Sequence, residues 1–274
     1  MTESHCHTIW RLEGSNARAE GAIEADVDLL RPHEGVAVRR VGGAALPARW
    51  SCLKFLQTEW PSASTGAAAR CDAFIRGRGL MAAYPPDAEF PFQVAVLRRW
   101  IETAPPASDA IGLETIVSVN TPLLDARPAL EMANRWPQGD VLQLPWADGA
   151  GRAEAQPPGD APAPIGAKAR LLAGRNPIAC TAADGPGCWL VRPAGSAISF
   201  VEMLHPTDFE QTTIDVSGAD GPVLRHRFFA RPLEKGVILR CRWRVVRVSR
   251  SNDAAAAAAL WTAFAAESPF LGAY

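Results

Sequence analysis

Glu202, His205 and Asp208 form the densest group of titratable side chains, packed into Glu202-Met203-Leu204-His205-Pro206-Thr207-Asp208-Phe209-Glu210. Histidine titrates near neutral pH, so His205 could pass a proton as general acid or base, with Glu202 as its complement and Asp208 orienting the ring. The segment reads as a strand running into a turn. Residues three apart on a strand face opposite ways, so Glu202 and His205 converge only if the chain bends at Pro206. The competing reading is a plain turn in which His205 and Asp208 cap backbone groups.

The second group is arginine. Arg225-His226-Arg227, with Arg231 nearby, and Arg240-Cys241-Arg242-Trp243-Arg244 place arginine on every second position. A period of two sends these guanidinium groups to one face of a sheet and Leu224, His226, Phe228, Leu239, Cys241, Trp243 and Val245 to the other. A hairpin through Pro232-Leu233-Glu234-Lys235-Gly236 would set arginine against arginine, which destabilises a sheet by a few tenths of a kcal/mol or more per pair. An anion is therefore required. Glu24, Asp26 and Asp28 repeat with the same period, and the expectation is an internal ladder between them and the arginines. The alternatives are an external phosphate or carboxylate ligand held by Arg225, Arg227, Arg240, Arg242 and Arg244, or solvated arginines whose stems cover apolar surface.

Aromatic residues are lopsided, nine tryptophans against two tyrosines. Trp60, Trp136 and Trp146 lie beside prolines at strand ends, where an exposed indole could stack on a sugar ring; core packing is the plainer alternative. His5-Cys6-His7 offers three donors in a row at a terminus, whereas zinc needs four at separated positions, so no metal site is expected. Nucleophile-elbow, P-loop and dinucleotide-binding motifs are absent, and no cofactor is expected.

Strands must position these groups. Ala22 to Leu29 alternates acid and apolar without error. Val36 to Val41, Ser51 to Gln57, Asp72 to Arg76, Leu80 to Tyr84, Phe92 to Ile101, Thr115 to Asn120, Leu130 to Trp136, Val141 to Trp146, Trp189 to Arg192, Ile198 to Leu204 and Thr212 to Val216 read similarly. With the two arginine strands these make about fourteen, separated by turn residues, the texture of an all-β sandwich. Arg76-Gly77-Arg78-Gly79 reads as a hairpin turn between two of them. One helix is expected at about 252–266, opened by Ser251-Asn252-Asp253 and anchored by Leu260, Trp261 and Phe264. Ala147 to Lys168, dense in Pro, Gly and Ala, reads as a surface loop of one 1–274 domain.

In length and strand count this outline resembles the supersandwich of sugar epimerases of the galactose-mutarotase type and of many carbohydrate-binding proteins. No catalytic motif of those enzymes occurs at a matching position, so the resemblance transfers no site. A formal net charge of -1 argues against nucleic acid as a partner. No window approaches the ~20 apolar residues of a membrane span, and no basic-flanked apolar leader opens the chain. Six scattered cysteines suggest a reduced, cytoplasmic setting. Long sheet edges would permit a homo-oligomer, though nothing selects one. The expectation is a binding or structural module for a carbohydrate-like or anionic polar small molecule; the alternative is a sugar-modifying enzyme using His205 with Glu202 and Asp208.

Overall fold

The computed structural model describes residues 8–58, 60, 71–102, 110–146, 169–174 and 176–268. Within them the alternating segments become two antiparallel sheets of nine strands each, nearly all-β apart from one C-terminal helix. The first sheet runs, in spatial order, β1 (Ile9–Glu13), β2 (Asn16–Glu20), β3 (Ile23–Asp28), β4 (Val36–Val41), β5 (Ala44–Phe55), β10 (Leu130–Arg135), β17 (Val223–Phe228), β16 (Gln211–Asp215) and β13 (Ile178–Cys180). The second runs β12 (Arg170–Leu172), β11 (Gly139–Gln143), β14 (Cys188–Pro193), β15 (Ile198–Leu204), β18 (Leu239–Ser249), β9 (Ile111–Asn120), β8 (Gln93–Glu102), β7 (Gly79–Tyr84) and β6 (Asp72–Arg76). Every expected strand is present. The four unexpected ones, β1, β2, β12 and β13, are short and sit at or beside sheet edges. The segment 147–168 lies outside the described residues.

Alternation sets the layers. On β3, Ile23, Ala25 and Val27 turn to the core while Glu24, Asp26 and Asp28 stay partly exposed. On β18, Leu239, Cys241, Trp243 and Val245 enter the core between the sheets, and Val246 and Val248 meet the helix on the other side. That helix, α1 (Asp253–Ala265), lays Ala257, Trp261 and Phe264 over Leu190, Val201 and Met203 on the outer face of the second sheet. The sheet is thus buried on both faces where α1 covers it. The expected cap differs in detail: Asn252 makes no side-chain cap, and Asp253 instead binds Arg192 at 2.8 and 2.7 Å and Ser199 at 2.6 Å. The helix start is tied to the sheet by that carboxylate.

The arginine hairpin is overturned. β17 lies between β10 and β16 in the first sheet, whereas β18 lies between β15 and β9 in the second. The connection crosses the sandwich, turning at Phe229 with φ 62° and bridging Leu233 to Ala126. Both strands send apolar faces into one core from opposite sides, so their period matches a hairpin or a sandwich equally well. The acidic ladder fails with it. β3 pairs with β2 and β4, Asp26 is bound by Arg18 and Arg39, and Asp28 by Arg31. Arg225 and Arg227 face outward on the first sheet, with Glu131 directly opposite Arg227.

No helix among the described residues is long and apolar enough to cross a membrane.

Candidate functional site

A bulge explains how polar groups enter the core. Between β10 and β5 the register shifts, and Ser51 adopts φ 60°. Its freed N–H donates to Asn134 Oδ1 at 2.6 Å, and its hydroxyl meets Thr115 Oγ1 at 3.0 Å. A bulge leaves an unpaired backbone group that something must satisfy, and Asn134 does so. Its amide then donates to Glu202 Oε1 at 2.7 Å, Trp136 Nε1 donates to Oε2 at 3.1 Å, and His226 Nε2 makes a short bond to Oε1. Glu202 is completely buried. It is the knot of a polar network linking the two sheets, and it does not converge with His205.

His205 turns to the other face. Leaving β15 just past Leu204, its N–H donates to the Arg242 carbonyl at 3.1 Å, and its ring packs edge-on to Phe264 of α1 at 5.3 Å. Nε2 meets the Glu267 carbonyl at 3.2 Å, which fixes Nε2 as the protonated nitrogen, since a carbonyl only accepts. Nδ1 therefore accepts, with Thr207 Oγ1 at 2.8 Å. The Thr207 hydroxyl also meets Asp208 Oδ1 at 3.0 Å, and Asp208 Oδ2 accepts the Arg242 N–H at 2.9 Å. One hydroxyl proton thus stands between two acceptors. His205 and Asp208 are joined through Thr207, combining the expected turn with a potential proton relay.

The arginines of β18 complete the face. Glu114 on β9 stands directly between Arg99 of β8 and Arg244 of β18 in register. It is 0 % exposed and binds both, Arg244 at 2.8 and 2.7 Å. Just beyond α1, Glu267 takes Arg244 in a two-pronged contact at 2.6 Å and Arg242 at 3.0 Å. Both guanidinium groups lie over the Phe264 ring, at 4.7 Å for Arg242 and 4.3 Å for Arg244. Such stacking supplements ion pairing. Arg240 binds Ser118 at 3.0 Å. The arginines do meet internal anions, but these are Glu114 and Glu267. Arg242 Nη2 remains buried with no acceptor.

Two titrations are displaced in opposite directions. Burial, then the Arg242 charge, pushes His205 down to about 4, so its ring is neutral at pH 7. Burial raises Asp208 to about 6. Glu267 stays below the usual carboxylate range although burial works the other way, because Arg244 and Arg242 hold its anion. The signs give a test. His205 contributes stability that is full above its ordinary 6.5 and is lost as pH falls toward 4. Asp208 contributes stability that is full below its ordinary 3.8 and is lost as pH rises through about 6. Between pH 4 and 6 the two slopes oppose each other. In Asp208→Asn the denaturation midpoint should climb with pH across that window relative to the parent; a constant difference would contradict the Asp208 displacement.

The tryptophans are packing residues. Trp136 and Trp146 are buried, with Trp146 donating to the Ala182 carbonyl at 2.9 Å, and half-buried Trp60 nests among Phe55, Tyr84 and Phe90. Each closes an aromatic cluster, Trp136 with Trp50 and Phe200 and Trp146 with Trp261. His5-Cys6-His7 lies outside the described residues. Glu114, Glu267 and Arg99 were not singled out from the sequence, yet two carried a signal. Glu114 is the lone acid in a strand otherwise buried on both faces. Glu267 follows a helix C-terminus, where the macrodipole repels an acid unless a cation holds it.

No protein-family model and no curated protein matches the chain. Solved structures do. The crystal structure of a candidate aldose 1-epimerase from Escherichia coli K12 matches over 89% of this chain and 99% of its own at 12% identity, with TM-score 0.52. An aldose epimerase homologue from C. elegans covers 89% and 99% at 7% identity and TM-score 0.47. A galactose mutarotase related enzyme from Lactobacillus acidophilus covers 90% and 98% at 8% identity and TM-score 0.43. The E. coli match establishes that the two nine-stranded sheets form a sandwich of the aldose-epimerase shape.

Proposed function

We propose that this chain is a sugar-modifying enzyme of the epimerase or mutarotase kind, working on the outer face of the second sheet. One observation carries the reading: a carboxylate with partial exposure, a neutral histidine with a proton relay behind it, and a guanidinium with one nitrogen lacking an acceptor all gather at the end of α1. A sugar as ligand is supported by the E. coli fold neighbour, which bears an aldose 1-epimerase name.

Interconverting anomers requires removing the proton of the anomeric hydroxyl while protonating the ring oxygen, so that the ring opens, the aldehyde rotates and the ring closes from its other face. Glu267, 41 % exposed and held as an anion, serves as the base. His205 serves as the acid: its Nε2 proton passes to the ring oxygen while Nδ1 takes the Thr207 hydroxyl proton, which Thr207 regains from Asp208 in its protonated form, the one favoured below about pH 6. The sugar must first displace the Glu267 carbonyl from Nε2. Arg242 Nη2 donates to a sugar oxygen, or to a carboxylate or phosphate on the sugar, as its missing acceptor. Glu202 has no part in the chemistry because the core seals it.

The expected result is faster anomer exchange, followed by NMR saturation transfer, for at least one member of a panel of neutral hexoses, uronates and sugar phosphates. His205→Gln should lower that rate by about 100-fold or more, the usual value of a positioned acid–base group. A panel member that binds with no acceleration would instead establish the binding-module reading. We further read the chain as one domain, since each sheet draws strands from both sides of 147–168, and as cytoplasmic, in keeping with free thiols at Cys52, Cys71, Cys180, Cys188 and Cys241.

A further inference from the structure

Arg98 stands apart from everything above. Adjacent residues on a strand face opposite ways, so while Arg99 joins the Glu114 cluster outside, Arg98 turns into the space between the sheets. It has no exposed surface, and its Nε, Nη1 and Nη2 all lack an acceptor. A guanidinium remains charged in a protein and brings five N–H donors. The groups around it are a phenol hydroxyl and two thiols, neutral groups that bring no counter-charge. Tyr84 on β7, whose hydroxyl is also buried, and the thiols of Cys52 and Cys71 are the groups that bear on its charge. Burial pushes both the Tyr84 hydroxyl and the Cys71 thiol up, so they keep their protons. Among the described residues no carboxylate is one of them. Trp10 donates to the Arg98 carbonyl at 3.2 Å and stacks on Trp100 at 5.0 Å, closing the region from the β1 side.

A buried cation without a counter-charge is among the costliest arrangements in a protein interior. We propose that Arg98, with the Tyr84 hydroxyl and the Cys71 thiol, forms a site between the sheets for one small monovalent anion of the halide type, taken up as the two sheets close. A halide matches because it accepts from N–H, O–H and S–H groups in any direction and brings no donor of its own. Its single charge neutralises the guanidinium, whereas a phosphate dianion would leave a second buried charge without a partner. The site lies inside the sandwich and does not depend on the sugar chemistry proposed for the outer face.

The test is thermal unfolding of the full chain, dialysed free of halide, then titrated with sodium chloride or bromide at constant ionic strength held by sodium gluconate. The folding equilibrium should shift saturably, by about 100-fold at 100 times the dissociation constant. Sodium sulfate should not substitute. Arg98→Met, a neutral side chain of similar reach, should remove the halide response while leaving a folded protein. Should that variant fail to fold, Tyr84→Phe should still weaken halide binding several-fold. Identical stability with and without halide in the parent would overturn the site, as would a response unchanged in Arg98→Met or Tyr84→Phe.

Discussion

Replacing Glu202 with alanine should destabilise the protein by about 3–5 kcal/mol, the range seen when one member of a buried charged network is removed. Three donors converge on two oxygens: Asn134 Nδ2 and His226 Nε2 on Oε1, Trp136 Nε1 on Oε2. All four side chains are buried, so truncation leaves three donors without water or partner. Glutamine does not repair the site. Wherever its NH2 is placed, it faces either the Asn134 amide or the Trp136 indole, both of which only donate at those positions. His226 could adapt by moving its proton to Nδ1 and donating to Thr212, 2.8 Å away, but the other two donors cannot reverse. Glu202→Gln should therefore cost about 1–3 kcal/mol, the penalty for an unsatisfied buried polar group. Urea denaturation would measure both variants. For a chain approaching this length the alanine variant should also lose about 10 °C of Tm. A cost below about 1 kcal/mol for alanine would mean the bridge between the sheets does not hold them, because that is the worth of an ordinary single hydrogen bond. Anomer-exchange activity corrected for the folded fraction should survive in Glu202→Gln, which separates this structural role from the chemistry assigned to His205.

Periodicity revealed the strands but not their neighbours. Val36–Val41, Asp72–Arg76 and Ile198–Leu204 have the bounds that alternation implies, and the Arg76-Gly77-Arg78-Gly79 turn joins β6 to β7 as expected. β2 escaped notice because its inward residues are Ala17 and Ala19, whose small side chains give little contrast with Asn16, Arg18 and Glu20. β12 and β13, three residues each, are too short to show a period. The faces of Arg225 to Phe228 and of Leu239 to Val245 were legible residue by residue, yet pairing them required knowing which sheet each joined, and inward alternation is the same from either side of a core. The same limit hid the site. His205 and Asp208 share a turn and were visible together, whereas Glu114 and Glu267 lie more than 120 residues apart and meet only through β18. Glu202 could not be assigned to the interior from Met203 and Leu204 alone, because its strand is buried on both faces and alternation carries no contrast there.

Glu114→Ala should cost about 2–4 kcal/mol, and added carboxylate should restore part of it. Glu114 is the fully buried member of an Arg99–Glu114–Arg244 row that spans three strands at one register. Without it Arg99 can swing its partly exposed head into water, but Arg244 is nearly buried and keeps only Glu267. The loss is thus the desolvated half of Arg244 plus the repulsion of two guanidinium groups no longer separated by an anion. The cavity left by the side chain lies between those two cations and suits formate or acetate, so either salt should raise the Tm of Glu114→Ala more than that of the parent at equal ionic strength. The charge and the contact can be separated by a double-mutant cycle. Glu114→Leu and Arg244→Met should each destabilise, while the pair combined should cost far less than their sum, since an apolar pair removes both the cation and its need for a counter-charge. Additive costs in that cycle, together with no carboxylate rescue, would show that the row is an incidental surface ion pair. Strong coupling would instead mean that the outer face of the second sheet is pre-organised by Glu114, which leaves Glu267, the exposed partner of the same arginine, as the carboxylate able to give up its place to a ligand.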